Sequence, residues 1–344
     1  MTRTPGRLHP EASTTPAPPR RNGAGRVVRY VSAIVFTLVV AAFVLPDLLF
    51  GIDGRSPFAQ LAAFRPLALV GCAALSALLL LALVFERRVW PFAAGVLVVA
   101  VIGSALVLPR TIADPLPTGG TPLTVLVFNT FEGKGDVEGL AEMIRAQRPD
   151  VVSVVEAGTD YRSRLAPLVE PLGYRLQTSV GPGEEDVQGV TAVVAAGLGD
   201  VTTRIGEETS AFPYLELTGG GLGALRFVAF HSVAPVPGSV PEWRDDLALL
   251  SRWCAGPTPA IVAGDFNATL DHSVLRSGMA GCEDAAEQRG QGLVPTWGPT
   301  PGTRTIGPQI DHVLVTEGIA AETFAVGDIA GSDHRAVLTR LRIP

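Results

Sequence analysis

The sequence predicts an α+β protein in which two packed β-sheets carry helices on their outer faces, with three transmembrane helices placed before them. Three observations lead there. Three long apolar runs lie in the first third of the chain. Beyond residue 121, short Val-rich runs alternate with polar stretches of helical periodicity. Charge divides as sharply as hydropathy. Residues 1–110 hold 11 basic and 4 acidic side chains, a net +7, whereas residues 111–344 hold 16 and 29, a net −13.

Residues 1–29 are rich in Pro, Thr and Arg without apolar periodicity, which predicts a disordered cytoplasmic tail. Tyr30 to Phe50 is apolar, broken only by Pro46 and Asp47, and neither Leu67–Phe85 nor Trp90–Pro109 carries a charge. Each run approaches the ~20 residues that cross a bilayer as a helix. Buried helices of a soluble core would not repeat such stretches three times in so short a window, and a cleaved signal peptide would not be followed by two more. Arg20, Arg21, Arg26 and Arg29 precede the first run, and Arg87 and Arg88 separate the second from the third. The intervening loop holds only Arg55 and Arg65, and Arg110 follows the third run. The positive-inside tendency therefore puts the tail in the cytoplasm and everything after Arg110 outside, as a multi-pass membrane protein.

Thr111–Thr121 is a Pro-, Gly- and Thr-rich linker, and 122–344 forms one domain. Strands are predicted at Leu123–Asn129, Val151–Glu156, Tyr174–Thr178, Thr191–Ala195, Tyr214–Leu217, Leu225–His231, Ala260–Gly264, Ile310–Val315 and Ala336–Arg342. Asp136–Arg148 places Val137, Leu140, Ala141 and Ile144 on one helical face and meets Pro149 just past its end. Glu242–Cys254 reads as a second amphipathic helix, and Asp160–Leu168 as a third. No internal repeat is present.

Polar side chains stand at the ends of several apolar runs: Asn129, Glu156 and His231, then Asp265 and Asn267 at alternate positions of Gly-Asp-Phe-Asn. Asp311 and His312 follow in Ile-Asp-His-Val, and Asp333 and His334 in Gly-Ser-Asp-His. Any one of these can be a turn residue or a helix cap. Together they offer carboxylates and an amide to a hard metal, and histidines that donate protons to phosphate oxygen.

Gly264-Asp265-Phe266-Asn267 followed downstream by Ser332-Asp333-His334 resembles the endonuclease/exonuclease/phosphatase superfamily, whose members include pancreatic-type DNases, sphingomyelinases and inositol-polyphosphate phosphatases. The resemblance spans Leu123 to Arg342 and keeps the family's motif order. It implies a four-layer α/β/β/α sandwich. It implies that Glu156 is the main metal ligand, with Asn129 and Asp311 in the same metal pocket. Asp265 would orient or deprotonate the attacking water and Asn267 position it. His334 would contact the scissile phosphate, oriented by Asp333, and His231 would stabilise the transition state. His312 lies where many relatives carry another residue and is an additional candidate. The implied cofactor is Mg²⁺, with Mn²⁺ as a substitute.

Of the remaining residues, His272 reads as a surface residue at a helix start, and Trp243 and Trp297 as core or rim aromatics. Cys72 reads as a small apolar filler. Cys254 and Cys282 can pair in an oxidising compartment or remain thiols, and the sequence leaves both open.

A domain held close to the outer leaflet suits a lipid head group, and its −13 charge counts against nucleic acid. The expected substrate is a lipid or small phosphoester. The three-helix arrangement resembles a membrane-anchored actinomycete group linked to glycopeptide resistance, which implies envelope chemistry on a polyprenyl pyrophosphate. Two alternatives stand beside it: an anchored extracellular nuclease, and an envelope binding module without chemistry. The sequence does not determine oligomeric state.

Overall fold

The computed structural model describes residues 23–344, so the tail expected over 1–29 lies outside the described residues as far as 22. Helices α1 (Gly23–Val44), α2 (Phe58–Ala62), α3 (Arg65–Phe85) and α4 (Trp90–Val107) come first. Among the described residues three stretches are long and apolar enough to cross a membrane, namely α1, α3 and Arg87–Thr111, at 22, 21 and 25 residues. They pack on one another through Ala41, Val44, Cys72, Val96 and Val99. Val28, Val70, Leu81, Val84 and Val101 project outward, as bilayer-facing side chains do. Tyr30 meets Trp90 edge-on at 6.0 Å, so the start of α1 and the start of α4 share one end of the bundle.

The remainder is a four-layer sandwich. Its strands are β1 (Thr121–Asn129), β2 (Val151–Val155), β3 (Tyr174–Thr178), β4 (Val190–Ala195), β5 (Val201–Gly206), β6 (Tyr214–Gly219), β7 (Arg226–His231), β8 (Ala260–Asp265), β9 (Cys282–Asp284), β10 (Asp311–Thr316), β11 (Ala320–Asp328) and β12 (Arg335–Ile343). One sheet runs β11-β12-β1-β2-β4-β3 and the other β5-β6-β7-β8-β10-β9. Val125, Val127, Val151, Leu217, Phe227, Ile261 and Val313 fill the space between the sheets. Ser153 Oγ donates to the Ala263 carbonyl at 2.9 Å and stitches the two layers together.

Helices α5 (Val137–Gln147) and α6 (Thr159–Val169) cover the first sheet, burying Leu140, Ile144, Tyr161 and Leu165 against Leu126 and Val154. Asp136 caps α5 by accepting from Gly139 N–H. Arg148 takes a left-handed conformation one residue past the helix, and Pro149 prevents its continuation. Helices α7 (Val240–Ala248), α8 (Ser251–Cys254), α9 (Ser273–Gly278) and α10 (Ala285–Gln288) lie in the C-terminal half. Trp243, Leu247, Trp253 and Leu275 pack on the outer face of the second sheet. The single helix expected over Glu242–Cys254 is thus two, broken at Leu249-Leu250. Cys254 and Cys282 are disulfide-bonded, joining the end of α8 to β9.

Three strands escaped the sequence reading, β5, β9 and β11, and all three are sheet edges. An edge strand meets a partner on one side only; β5 exposes Thr202, Arg204 and Ile205, β9 is three residues long, and β11 exposes Thr323, Ala325 and Asp328.

Candidate functional site

Five strand ends converge at one end of the sandwich. β1 and β2 are parallel with Asn129 level with Val155, and β7 and β8 are parallel with His231 level with Asp265. β10 runs antiparallel to β8 and starts at Asp311, directly opposite Asp265. Close approach of β7 to β8 requires Gly264, because a Cβ there would lie 1.8 Å from the Phe230 carbonyl oxygen. The turn before His334 likewise requires Gly331, at φ 82 with a Cβ position 2.3 Å from the Lys134 carbonyl.

Strand alternation decides which side chains reach the site. Asn129, His231, Asp265 and Asp311 share the face of Val127, Ala229, Ala263 and Val313, which point between the sheets. Glu156 would by alternation follow Val152 and Val154 to the outer face. A left-handed backbone, φ 55, turns it back, and Asn267 also sits at φ 47. Non-glycine residues held there cost about 1–3 kcal/mol each and concentrate at functional sites.

Asn129 joins the carboxylates, its Nδ2 donating to Glu156 Oε1 at 3.0 Å and to Asp265 Oδ2 at 2.9 Å, while its Oδ1 accepts from Phe131 N–H at 2.8 Å. An amide nitrogen has no lone pair for a metal. Asn129, expected in the metal pocket, directs that nitrogen at Glu156 and Asp265, and its Oδ1 is the atom with a lone pair to offer. Glu156 Oε2 accepts from Glu132 N–H at 2.6 Å, and Asp265 Oδ1 from Asn267 N–H at 2.8 Å. Asn267 Nδ2 donates to the Ser232 carbonyl at 3.0 Å.

His334 places Nδ1 2.9 Å from Asp311 Oδ2, while its Nε2 lies 3.7 Å from Asp265 Oδ2 and 3.9 Å from Asp333 Oδ1. The carboxylate that orients the imidazole is therefore Asp311, where sequence reading assigned Asp333. Asp333 instead accepts from the Trp297 indole at 2.9 Å. His312 is not part of the cluster. Alternation along β10 sends it to the outer face, with Nδ1 2.7 Å from Asp284 and Nε2 2.9 Å from the Ala268 carbonyl.

The electrostatics follow from burial. Burial raises the Asp265 pKa first and the Asp311 charge raises it further, against the imidazole of His334 and the hydrogen bonds from Asn267 and Asn129. For His334, burial acts downward, but Asp311 and Asp265 outweigh it and push the imidazole up to about 10. Burial, then the charge of His334, drives His231 down to about 3, so its 3.8 Å approach to Glu156 is not an ion pair. Glu156 is raised by burial above all.

These residues fit a hard divalent cation. One ligand atom each from Glu156, His231 and Asp265 lie within 4.8 Å of one another, and so do those of Asp265, Asp311 and His334. Asp311 Oδ1, Asp333 Oδ1 and His231 Nδ1 are buried without a hydrogen-bond partner. Buried carboxylates gathered this closely call for positive charge among them.

Supporting residues complete the site: Ser332 belonged to the motif the sequence showed, whereas Phe212 and Arg304 had no signal there. Phe212 stacks on His231 at 4.2 Å between ring centroids. Ser332 Oγ donates to the Asn129 carbonyl at 2.7 Å and accepts from His334 N–H at 2.9 Å. Arg304 holds the carbonyls of Ile329, Ser332 and His334.

The family model described as endonuclease/exonuclease/phosphatase family matches residues 126–334. Among solved structures, D. rerio TDP2 humanized by 14 mutations is similar with a TM-score of 0.53 at 19% identity, over 64% of this chain and 99% of that one. The 3′ phosphatase NExo from Neisseria, bound to a product DNA hairpin, is similar with a TM-score of 0.51 at 16% identity, over 63% and 98%. A functionally unknown conserved protein from Enterococcus faecalis V583 gives 0.51 at 13% identity, over 64% and 100%. At these identities the likeness is one of fold. No curated protein sequence matches the chain significantly.

Proposed function

The chain belongs to the endonuclease/exonuclease/phosphatase family, and from that premise we propose that it is a divalent-metal-dependent phosphoesterase acting on a phosphorylated membrane lipid outside the cell. The observation that carries the chemistry is the His334 imidazole, held by Asp311 and 3.7 Å from Asp265. A proton donor and a proton acceptor then face the same space, as hydrolysis of a phosphoester requires.

Asp265, raised by burial and by the Asp311 charge, can take a proton from water near neutral pH. Both its oxygens are held, Oδ1 by Asn267 N–H and Oδ2 by Asn129 Nδ2, and Oδ2 is the one that faces His334 Nε2. His334 remains protonated and donates from Nε2 to phosphate oxygen, as a charge-assisted hydrogen bond. His231, neutral and stacked on Phe212, presents its ring to the same pocket. A divalent cation, Mg²⁺ by preference and Mn²⁺ in its place, would be held chiefly by Glu156 and would offset the negative charge that develops on phosphate.

A lipid substrate is supported by the three apolar helices and by the distribution of arginine. Arg26, Arg29, Arg87 and Arg88 belong to the bundle end where Tyr30 meets Trp90, and the chain enters the sandwich from the opposite end, after Val107. That arrangement favours a cytoplasmic tail and an extracytoplasmic catalytic domain. Within the class, a polyprenyl pyrophosphate is the substrate we favour. A nuclease is the second reading, favoured by the DNA hairpin bound to NExo and opposed by the −13 charge of residues 111–344.

The test is phosphate release by the full-length protein in liposomes, with and without Mg²⁺, from polyprenyl pyrophosphate, phospholipid and DNA. Metal-dependent release from a lipid, lost in Asp265→Ala, supports the reading. Cleavage of DNA alone would replace it with the nuclease.

A further inference from the structure

The loop that follows Asn267 is held from two sides. On the catalytic side, Asp265 accepts from Asn267 N–H and the Ala268 carbonyl faces His312 Nε2. On the other side, the segment between α1 and α3 and the end of α4 reach into the same loop. Arg65 donates from Nη1 to Asp271 at 2.9 Å and from Nε to the Val44 carbonyl at 2.9 Å, and it pairs with Asp47. Arg110 lies 2.9 Å from the same Asp271 oxygen and donates to the Leu270 carbonyl.

His272, expected at the surface, is fully buried. Its Nδ1 accepts from Thr269 N–H at 2.9 Å, which leaves the proton on Nε2 to donate to the Ala59 carbonyl at 2.7 Å. Asp53 accepts from Ser273 N–H, and Ala59 itself is packed with Trp243 and Leu275. Arg65 and Asp271 are 1% and 2% exposed, so these are not weak surface pairs, and separating them would strand buried charge.

The linker is docked as well. Asp114 N–H donates to the Gln288 carbonyl and Arg289 to the Asp114 carbonyl, both at 2.9 Å. A domain on a free tether would swing about the linker. This one has no such freedom while these contacts hold.

We propose that the membrane segment is a fixed mount for the catalytic domain, in which Arg65, Arg110, Asp53 and the Ala59 carbonyl seat the loop Leu270–Ser273 and so set the attitude and height of the active site above the bilayer. The inference rests on the reading of the substrate as a membrane lipid. It makes Arg65 and Arg110 positioning residues, acting through the loop and not on the phosphate. A fixed mount selects substrates whose phosphate lies at one depth, because a small misplacement of reacting groups is costly.

Full-length protein in phosphatidylcholine vesicles doped with polyprenyl pyrophosphate is assayed on that lipid and on water-soluble 4-nitrophenyl phosphate and its bis ester. Wild type is compared with Ala59→Arg and Arg65→Met, both of which lie in the membrane segment and leave the sandwich sequence intact. The mount predicts a fall of at least about tenfold on the lipid with less than about a twofold change on the soluble esters. Amide exchange at 269–273 should be slow in wild type and accelerated in both variants. An unchanged lipid rate, an equal fall on both substrate types, or fast exchange in wild type overturns it. If wild type cleaves soluble esters but no lipid, the substrate reading fails, and exchange still judges the mount.

Discussion

His334 and Asp311 form the shortest carboxylate–imidazole pair of the cluster, with Nδ1 2.9 Å from Oδ2, and the same imidazole directs Nε2 toward Asp265. The pair gives His334 its orientation and, with Asp265, its raised pKa. Replacing Asp311 with Asn should lower kcat by about a hundredfold or more, by analogy with loss of the orienting carboxylate in a catalytic triad. Asp333→Asn should cost far less, because Asp333 bonds to Trp297 and stands farther from the ring. The His334 titration followed by NMR should move down in Asp311→Asn. A larger defect in Asp333→Asn would reverse the assignment.

Asp265 shares its pocket with three other carboxylates, Glu156, Asp311 and Asp333. Asp265→Asn should abolish turnover to within about a thousandth of wild type, since it removes the proton acceptor. The same change should raise the melting temperature of metal-free protein, because one buried negative charge is removed from beside Asp311. Calorimetry of the two proteins after chelation decides it, and a lower Tm in the variant would contradict the repulsion.

Metal should stabilise the fold as well as support turnover. Chelation should remove activity, and titrating Mg²⁺ back should raise Tm, because mass action stabilises the folded state by about 2.7 kcal/mol at a hundred times Kd. Glu156→Gln should flatten that titration while leaving the chelated Tm close to wild type. A metal-dependent rise that survives the substitution would place the cation elsewhere.

The buried His272 ties stability to pH. Burial is the main cause and lowers its pKa below the ordinary 6.5, so the unfolded chain binds a proton that the folded loop refuses. Stability is then complete above pH 6.5 and declines as pH falls below it, by at most about 1.4 kcal/mol per pH unit. His272→Gln should remove its share of this slope from a plot of Tm against pH and leave the share of His231, whose pKa burial also lowers. The same slope in the variant would assign it to another group.

The Cys254–Cys282 disulfide closes a loop with a sequence separation of 28. Restricting the unfolded chain over that length contributes about 3–4 kcal/mol. Cys254→Ser with Cys282→Ser should lower the denaturant midpoint accordingly, and a reducing agent should do the same to wild type but not to the double variant.

Most of the sandwich was legible. Val-rich runs such as Leu123–Asn129 and Ala260–Gly264 are central strands buried on both faces, and continuous apolar sequence is what such burial demands. Of the four sheet edges, β3 was legible and β5, β9 and β11 were not; an edge pairs on one side only, so its apolar pattern is weaker, and β9 is only three residues long. The polar residues at the strand ends were found individually. Phe212 and Arg304 were not, since both act from loops whose positions depend on contacts distant in sequence.

By itself the sequence determined what depends on local composition: three membrane-length apolar runs, the central strands, and the order of the polar motifs. Tertiary structure alone decided the partners. It gave His334 to Asp311, turned Asn129 into a bridge between two carboxylates, put His312 outside the site and buried His272 against Ala59. Hydrophobic periodicity is a property of neighbouring residues and can be read along the chain. Which carboxylate meets which imidazole depends on strand register, on alternation between faces and on left-handed residues such as Glu156, and these are fixed only when the sheets pack.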